Sequence, residues 1–352
     1  MRALTVVPGR SQSAAVDDVP EPPPADGALL VQTRAVGVCG TDMEIVSGHY
    51  GWAPPGRERL ILGHESIGRV LEAPSASGFA AGDWIVGIVR RPDPVPCPSC
   101  AAGEWDMCRH GRYTERGIKE RDGYASERFR LEPDYAIKIE PSLALLGVLV
   151  EPTSVVAKAW DHVNRIGSRA SGWTPKTVLV TGAGPVGLLA ALIARQRGCD
   201  VHVSDRVRDG VKPQLVRDLG ATYHTGQLPS VDDLAPDVIL ECTGAPTVVA
   251  GVMTRVAASG VVCLVGVSTA GHTLSLDVGD VNRRLVLQNQ AIFGSVNANR
   301  AHFRTAADVL ARADRAWLAR LVTRRVALDD WPEALQRGLD DVKVVIELEA
   351  GA

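Results

Sequence analysis

Val178-Leu179-Val180-Thr181-Gly182-Ala183-Gly184-Pro185-Val186-Gly187-Leu188 is the stretch on which the reading of this chain turns. An apolar, β-branched run leads into G-x-G-x-x-G, and Leu188 to Arg197 then reads as an apolar helix. The next strand candidate, Val201 to Ser204, ends at Asp205. That acid lies about twenty residues past the glycines, as in a dinucleotide-binding βαβ unit. Gly182 permits the tight turn, Gly184 lets backbone approach a pyrophosphate, and Gly187 lets helix pack on strand. Pro185 and Val186 open the helix, whose N-terminus offers N–H groups and partial positive charge to phosphates. A glycine-rich turn without a ligand needs none of this context.

Further strand candidates follow at Val238 to Glu241 and Val261 to Val265, with helical segments between them. Alternation of this kind argues a parallel, doubly wound sheet. Upstream the pattern differs. Residues 28–155 carry short β-rich runs broken by Gly and Pro, such as Ala28 to Val36, Ser66 to Leu71 and Trp84 to Val89. That reads as a partly open β-barrel domain. An apolar helix is expected from Val155 through His162. Helices over Ala306 to Ala313 and Pro332 to Leu339, then a strand over Val342 to Leu348, form the tail.

The β-rich half holds two short, glycine-flanked segments, Gly37-Val38-Cys39-Gly40-Thr41-Asp42 and Gly63-His64-Glu65. Cys39, His64 and Glu65 are the ligand types of a mononuclear zinc site, and a catalytic zinc needs only three protein ligands. A third set, Cys97-Pro98-Ser99-Cys100 with Cys108, is C-x2-C-x7-C, a metal-binding spacing.

Length and composition agree with this division. A chain of 352 residues suits two domains. Charge is nearly balanced, 38 basic against 41 acidic residues without a like-charge block, which argues against nucleic acid or membrane partners. No apolar run reaches the ~18 residues of a membrane span. The start, Met1 to Pro8, reads as a first strand rather than a signal peptide. Seven cysteines, an odd number without secretion signals, favour reduced thiols and a cytoplasmic location. Cys199, Cys242 and Cys263 lie in or beside the strand candidates and read as small buried hydrophobes.

With these segments in place, the chain resembles the zinc-dependent medium-chain dehydrogenase/reductases of the alcohol dehydrogenase superfamily. Within them it resembles the glucose (aldose) 1-dehydrogenases. Superfamily signals are Gly37 to Asp42, Gly63 to Glu65, the glycine fingerprint, and Glu241-Cys242-Thr243-Gly244. Those of the sugar branch are Arg90-Arg91-Pro92, Glu115-Arg116-Gly117-Ile118, Glu151-Pro152, and Ser295 to Asn299 followed by His302-Phe303. The resemblance covers nearly the whole chain. It implies an α/β protein with a partly open, GroES-like β-barrel catalytic domain over residues 1–155, to which residues 305–352 return. A Rossmann domain occupies residues 156–304, and substrate and cofactor are expected to meet in a cleft between the domains.

The resemblance also implies roles. Cys39 and His64 ligate the catalytic zinc, with Glu151 expected as the third ligand and Glu65 alternating with it. An acid that complements a helix dipole is the other identity open to Glu151. Thr41 relays the released proton. His49 is either a later member of that relay or a surface histidine. Cys97, Cys100 and Cys108 match a structural zinc lobe whose fourth cysteine position here is Pro94; either Asp93 or another nearby oxygen completes the site, or the lobe is empty. Glu115 and Asn297 bind the sugar, Thr243 and Asn297 lie at the cofactor, and Arg90 and Arg91 anchor the loop or the cofactor. Val89 and Val155 depart from polar sugar-contacting residues of some members, which leaves the identity of the sugar open.

Asp205 at the strand end favours NAD through the ribose hydroxyls, while Arg206 is the opposing, NADP-directed signal. The expected activity is zinc-assisted, NAD(P)-dependent oxidation of an aldose to a lactone, in a homo-oligomer (dimer or tetramer, as the family implies). A polyol or secondary-alcohol dehydrogenase is the alternative enzyme. A nucleotide-binding regulator on the same fold is the non-enzymic one, and a relay hydroxyl beside metal ligands argues against it.

Overall fold

The computed structural model describes residues 1–226, 228–229, 234–269, 271–336 and 338–348. Contacts divide it into two units, Met1–Ser154 with the chain from Asn297 onward, and Val155–Val296. The return to the first unit thus begins at Asn297, whereas the sequence reading placed it at residue 305.

The strand Leu29–Val38 organises the first unit. Its burial alternates from Leu29 to Arg34 and then becomes continuous through Val38, so the strand starts with one covered face and ends with two. It pairs antiparallel with Glu65–Glu72 on one side and Lys343–Glu347 on the other. The sheet extends through Trp84–Gly87 to Ala136–Lys138 at one end and to Val322–Ala327 at the other, an open path. Arg128–Leu131 adds to the first half of the central strand. Register opposes Gly37 to both Glu65 and Val345. Residues distant in sequence therefore converge where the central strand ends, one residue before Cys39.

The second unit is a six-stranded parallel sheet. Its order is Thr222–Thr225, Asp200–Asp205, Thr177–Thr181, Val238–Glu241, Val261–Leu264, Ala291–Gly294. The winding reverses between Thr177–Thr181 and Val238–Glu241, the topological switch point at which such sheets bind ligands. Leu179, Ile239, Val252, Val256 and Val262 form a core cluster; each such side chain stabilises by about 1.5–3 kcal/mol relative to exposure. The helix Pro185–Gln196 buries every residue from Gly187 to Ala194, which is why its sequence shows no polar face.

The strands Thr222–Thr225 and Ala291–Gly294 were not expected. They are the two edges of the sheet, only partly covered; Thr222–Thr225 carries no apolar run, and Ala291–Gly294 is apolar but only four residues long. In the tail, the helix is Arg300–Ala311, and the helix Arg315–Leu321 and strand Val322–Ala327 are additions. The expected helix over Pro332 to Leu339 reduces to Trp331–Ala334; Arg337 within that span lies outside the described residues. Among the described residues no helix is long and apolar enough to cross a membrane.

The glycine turn sets a steric limit. A Cβ on Gly187 would lie 1.9 Å from the carbonyl oxygen of Gly182, and neither backbone can yield cheaply. Gly187→Ala is expected to cost about 1–3 kcal/mol, read as a lower urea midpoint with unchanged slope. An unchanged midpoint would show that the turn relaxes freely.

Candidate metal centre and nucleotide turn

Cys39 is the N-cap of the helix Gly40–Val46, and Asp42 on its first turn accepts the Cys39 backbone N–H at 2.9 Å. This box fixes where the thiol points. Across the sheet, Gly63 turns with φ of 87°, and a Cβ there would meet Val36 Cγ1 at 2.7 Å. The turn delivers His64 and Glu65 to the end of the central strand. Gly37, opposite Glu65, is needed for space, since a Cβ would fall 2.0 Å from Glu65 Oε2. Ligand atoms of Cys39, His64 and Glu65 consequently lie within 4.8 Å of one another.

The donor set fits a zinc ion: a thiol, an imidazole and a carboxylate, with His64 and Glu65 buried. Behind the imidazole, Asp42 Oδ1 lies 3.3 Å from His64 Nδ1, the carboxylate backing that ligating histidines commonly have. Burial alone would lower the His64 pKa. The nearby Asp42 carboxylate, then Cys39, outweighs it and holds the group well above its ordinary value. The pocket thus favours positive charge where a cation would sit.

Glu65 is also claimed from the other side. Lys343 Nζ lies 2.7 and 2.6 Å from its two oxygens and donates to Val38 O at 3.1 Å. Both side chains are 1% exposed. Burial works against the ammonium, but the Glu65 charge wins and raises the Lys343 pKa. Glu151, expected ahead of Glu65 as third ligand, lies outside the group of three. It sits buried on the first turn of the helix Val150–Gly167. Its carboxyl is pushed up to about 7, first by burial and then by Glu65 and Asp42, against the pull of His64 and Lys343. The strand register, rather than the helix, places the carboxylate that joins Cys39 and His64.

Thr41 follows on the same helix and is half-buried. His49 is exposed, its Nδ1 3.1 Å from Ser47 Oγ. Sequence reasoning passed over Asp42 and Lys343. A lysine inside the apolar run Val342 to Ile346 is itself a signal, because a buried ammonium needs an acid.

Cys97, Cys100 and Cys108 form a second group within 4.8 Å. Backbone N–H groups of Arg109 and Cys100 pull Cys97 down to about 6, and burial pushes Cys100 up to about 11. Asp93 does not join this group. Its Oδ2 takes His110 Nδ1 at 2.8 Å and Arg112 Nε at 3.1 Å, while Oδ1 accepts Val95 N–H at 2.9 Å. The proposed fourth ligand is thus committed to ion pairs. Cys199 and Cys263 are buried thiols beside or within the parallel sheet, and Cys242 is half-buried.

At the glycine turn, Gly182 has φ of 92°, and a Cβ would meet Thr243 Cγ2 at 2.9 Å. Gly184 caps the helix and has open space where a Cβ would be, with Pro185 and Val186 following as the first helical residues. Asp205 closes the turn: Oδ2 accepts Ala183 N–H at 2.6 Å and Oδ1 accepts Val207 N–H at 2.9 Å. Arg206 is exposed. Beside the turn, the fully buried Glu241 accepts from Thr181 Oγ1 at 3.2 Å, from Thr243 N–H and hydroxyl, and from Gly244 N–H at 3.1 Å.

In the first unit, Glu115 Oε1 accepts from Arg90 Nε (3.0 Å) and Nη2 (2.9 Å) and from Asn297 Nδ2 (2.6 Å). Asn297 holds a left-handed φ of 62°. Two residues singled out as sugar-binding are therefore in direct contact. Arg91 is engaged elsewhere, donating to Glu132 at 2.9 Å and lying over Tyr135.

Comparison with known proteins gives consistent matches. The family "Alcohol dehydrogenase GroES-like domain" matches residues 25–141, and "Glucose dehydrogenase C-terminus" matches residues 144–348. Glucose 1-dehydrogenase of Methanocella arvoryzae is 38% identical, covering 99% of this chain and 100% of its own. That of Thermoproteus tenax is 37% identical with the same coverage. The solved structure of Haloferax mediterranei glucose dehydrogenase in complex with NADP, Zn and gluconolactone has a TM-score of 0.90 at 33% identity, covering 100% of both chains.

The buried pair yields a stability test. Lys343→Met leaves Glu65 as an uncompensated buried charge, and urea unfolding should show a loss of about 3–5 kcal/mol. Adding Glu65→Gln should restore much of it. A Lys343→Met protein as stable as the parent would mean that Glu65 is satisfied without the ammonium.

Proposed function

The chain belongs to the alcohol dehydrogenase superfamily, in its glucose dehydrogenase branch, and from that premise we propose that it oxidises an aldose to a lactone with NAD(P)+ as hydride acceptor. The observation that carries this reading is the grouping of Cys39, His64 and Glu65 within 4.8 Å. These three would hold the catalytic zinc, with Glu151 as the carboxylate that would alternate with Glu65. Zinc supplies a Lewis acid that makes a nearby hydroxyl easier to deprotonate. NAD(P)+ supplies the two-electron acceptor, so that the carbinol loses a hydride and a proton and becomes a carbonyl.

The chain's own residues do the rest. Asp42 holds the His64 ring, and Lys343 offsets the Glu65 charge. The Thr41 hydroxyl, able both to accept and to donate, takes the released proton towards solvent. Glu115 and Asn297 bind sugar hydroxyls, which apolar walls would leave unpaired. In the second unit, the turn from Gly182 through Gly187 receives the pyrophosphate on the helix N-terminus, with Thr243 beside it. Cys97, Cys100 and Cys108 are read as a structural zinc site whose fourth ligand is not Asp93.

We further propose a cytoplasmic homo-oligomer. The seven free thiols support the compartment. The edge strand Ala291–Gly294 and the exposed Val278, Val286 and Leu287 support the association.

A panel of aldoses and polyols with NAD+ and NADP+, followed by absorbance of the reduced nicotinamide, tests the function. Aldoses should be the better substrates. Cys39→Ala should lower kcat at least about a thousandfold, several kcal/mol of transition-state stabilisation. Its NAD(P)+ affinity, measured by fluorescence, should stay near that of the parent. Near-parental turnover in Cys39→Ala would sink the metal assignment, and turnover of polyols alone would favour the alternative enzyme.

Cofactor choice rests on Asp205. Each of its oxygens keeps a lone pair for a ribose hydroxyl after accepting a backbone N–H, and its charge opposes a 2′-phosphate. NAD+ is therefore expected to be preferred. Asp205→Ser should shift preference towards NADP+ while weakening both cofactors, because Ala183 N–H loses its acceptor. Arg206→Ala should weaken NADP+ use more than NAD+ use. Strong parental preference for NADP+ would refute this role for Asp205.

A further inference from the structure

Arg90 is buried, 5% exposed, and its donors are committed in an unusual way. A guanidinium meeting a carboxylate commonly forms two parallel bonds, one to each oxygen. Here Nε and Nη2 both go to Glu115 Oε1, at 3.0 and 2.9 Å, and Asn297 Nδ2 adds a third donor to the same oxygen at 2.6 Å. Oε2 receives none among the described residues, and it is not one of the sealed, unpartnered polar atoms. The carboxylate thus has one saturated oxygen and one open acceptor.

Three further contacts make this arrangement rigid. Arg90 Nη1 donates to Asp106 O at 3.1 Å, and the guanidinium carbon lies 3.7 Å from the Tyr113 ring centroid. Asn297 Oδ1 accepts the N–H of Ala298 at 2.8 Å, so its amide cannot turn over without losing two bonds. Strand pairing adds Arg90 directly opposite Glu115. A lysine could not reproduce this, since it offers a point charge rather than a planar fork.

We propose that Arg90 is a positioning residue for sugar recognition: with Asn297 it occupies Glu115 Oε1 and presents Oε2 as the sole free acceptor for one substrate hydroxyl. This rests on the aldose reading above and adds a specificity rule to it. The hydroxyl facing Glu115 must be a donor, so a substrate lacking it is rejected, because the charged oxygen is left unpaired. The cost falls on binding rather than on the chemical step, as Arg90 acts on Glu115 and not on the reacting atoms.

Steady-state kinetics with glucose and a set of monodeoxy glucoses, on the parent, Arg90→Met and Arg90→Lys, test this. In the parent, one deoxy sugar should show KM raised about 30-fold, the scale of a lost hydrogen bond to a charged group. Arg90→Met should raise KM for glucose about as much, with kcat within about threefold, and should abolish discrimination against that deoxy sugar. Arg90→Lys should fall between. Parental KM and intact discrimination in Arg90→Met would overturn the proposal. Arg90→Lys decides if Arg90→Met does not fold. A uniform loss of kcat over all sugars, with a lower Tm and weaker NAD(P)+ binding, would also overturn it by showing a structural role alone. A parent enzyme that oxidises no aldose would instead refute the functional reading on which the proposal rests.

Discussion

One buried ammonium ties the candidate metal centre together. Lys343 contacts both oxygens of Glu65 and the carbonyl of Val38, and so joins three strands at the point where Cys39 and His64 emerge. Two charges taken out of water cost several kcal/mol each, which only close pairing and full hydrogen bonding offset. The constraint spreads outward. Gly37 has no side chain because Glu65 Oε2 occupies that space. The last described strand cannot be an optional edge, since it carries the counter-charge of a residue grouped with the candidate ligands. The sheet and the site therefore depend on the same pairing of Leu29–Val38 with Lys343–Glu347.

Three of the buried carboxylates, Glu65, Glu115 and Glu241, are satisfied by three different arrangements, and each fits its surroundings. Glu65 has a cation and sits beside a site that favours positive charge. Glu115 has a cation bound through one oxygen only, leaving the other for a ligand. Glu241 is bound by hydroxyl and backbone donors. Its arrangement orders the Thr243–Gly244 backbone at the switch point of the parallel sheet. No side-chain cation is among these donors, and the Thr243 side chain lies against the Gly182 turn.

Local chemistry carried much of the sequence reading. The strand–glycine–helix–acid order of residues 178–205 is a short-range pattern in which each residue type answers a backbone need. The doubly wound sheet, the family and the Cys39–His64 pair could all be read from such segments. Expected and observed strands agree where both faces are covered, as at Val238 to Glu241. They disagree at the sheet edges, where half-exposed strands such as Thr222–Thr225 carry no periodic signal. The helix expected over Pro332 to Leu339 failed for a related reason: propensity within a short segment does not report what the segment packs against.

Tertiary structure decided the questions that depend on long-range register. Two carboxylates were open as the third member of the candidate metal group; register brings Glu65 to the strand end within 4.8 Å of Cys39 and His64, while Glu151 stands on a helix outside that group. Asp93 is a chemically sound fourth ligand for the three-cysteine lobe by type, and in the fold its Oδ2 pairs with His110 and Arg112. Lys343 and Arg90 acquire meaning only through partners 278 and 25 residues away. The sequence by itself determined which chemistry the chain can hold, since residue type and near spacing set ligand softness, charge and turn geometry. Which of those groups meet was decided only by the fold, because strand register and the need to pair every buried charge act between residues that no local pattern connects.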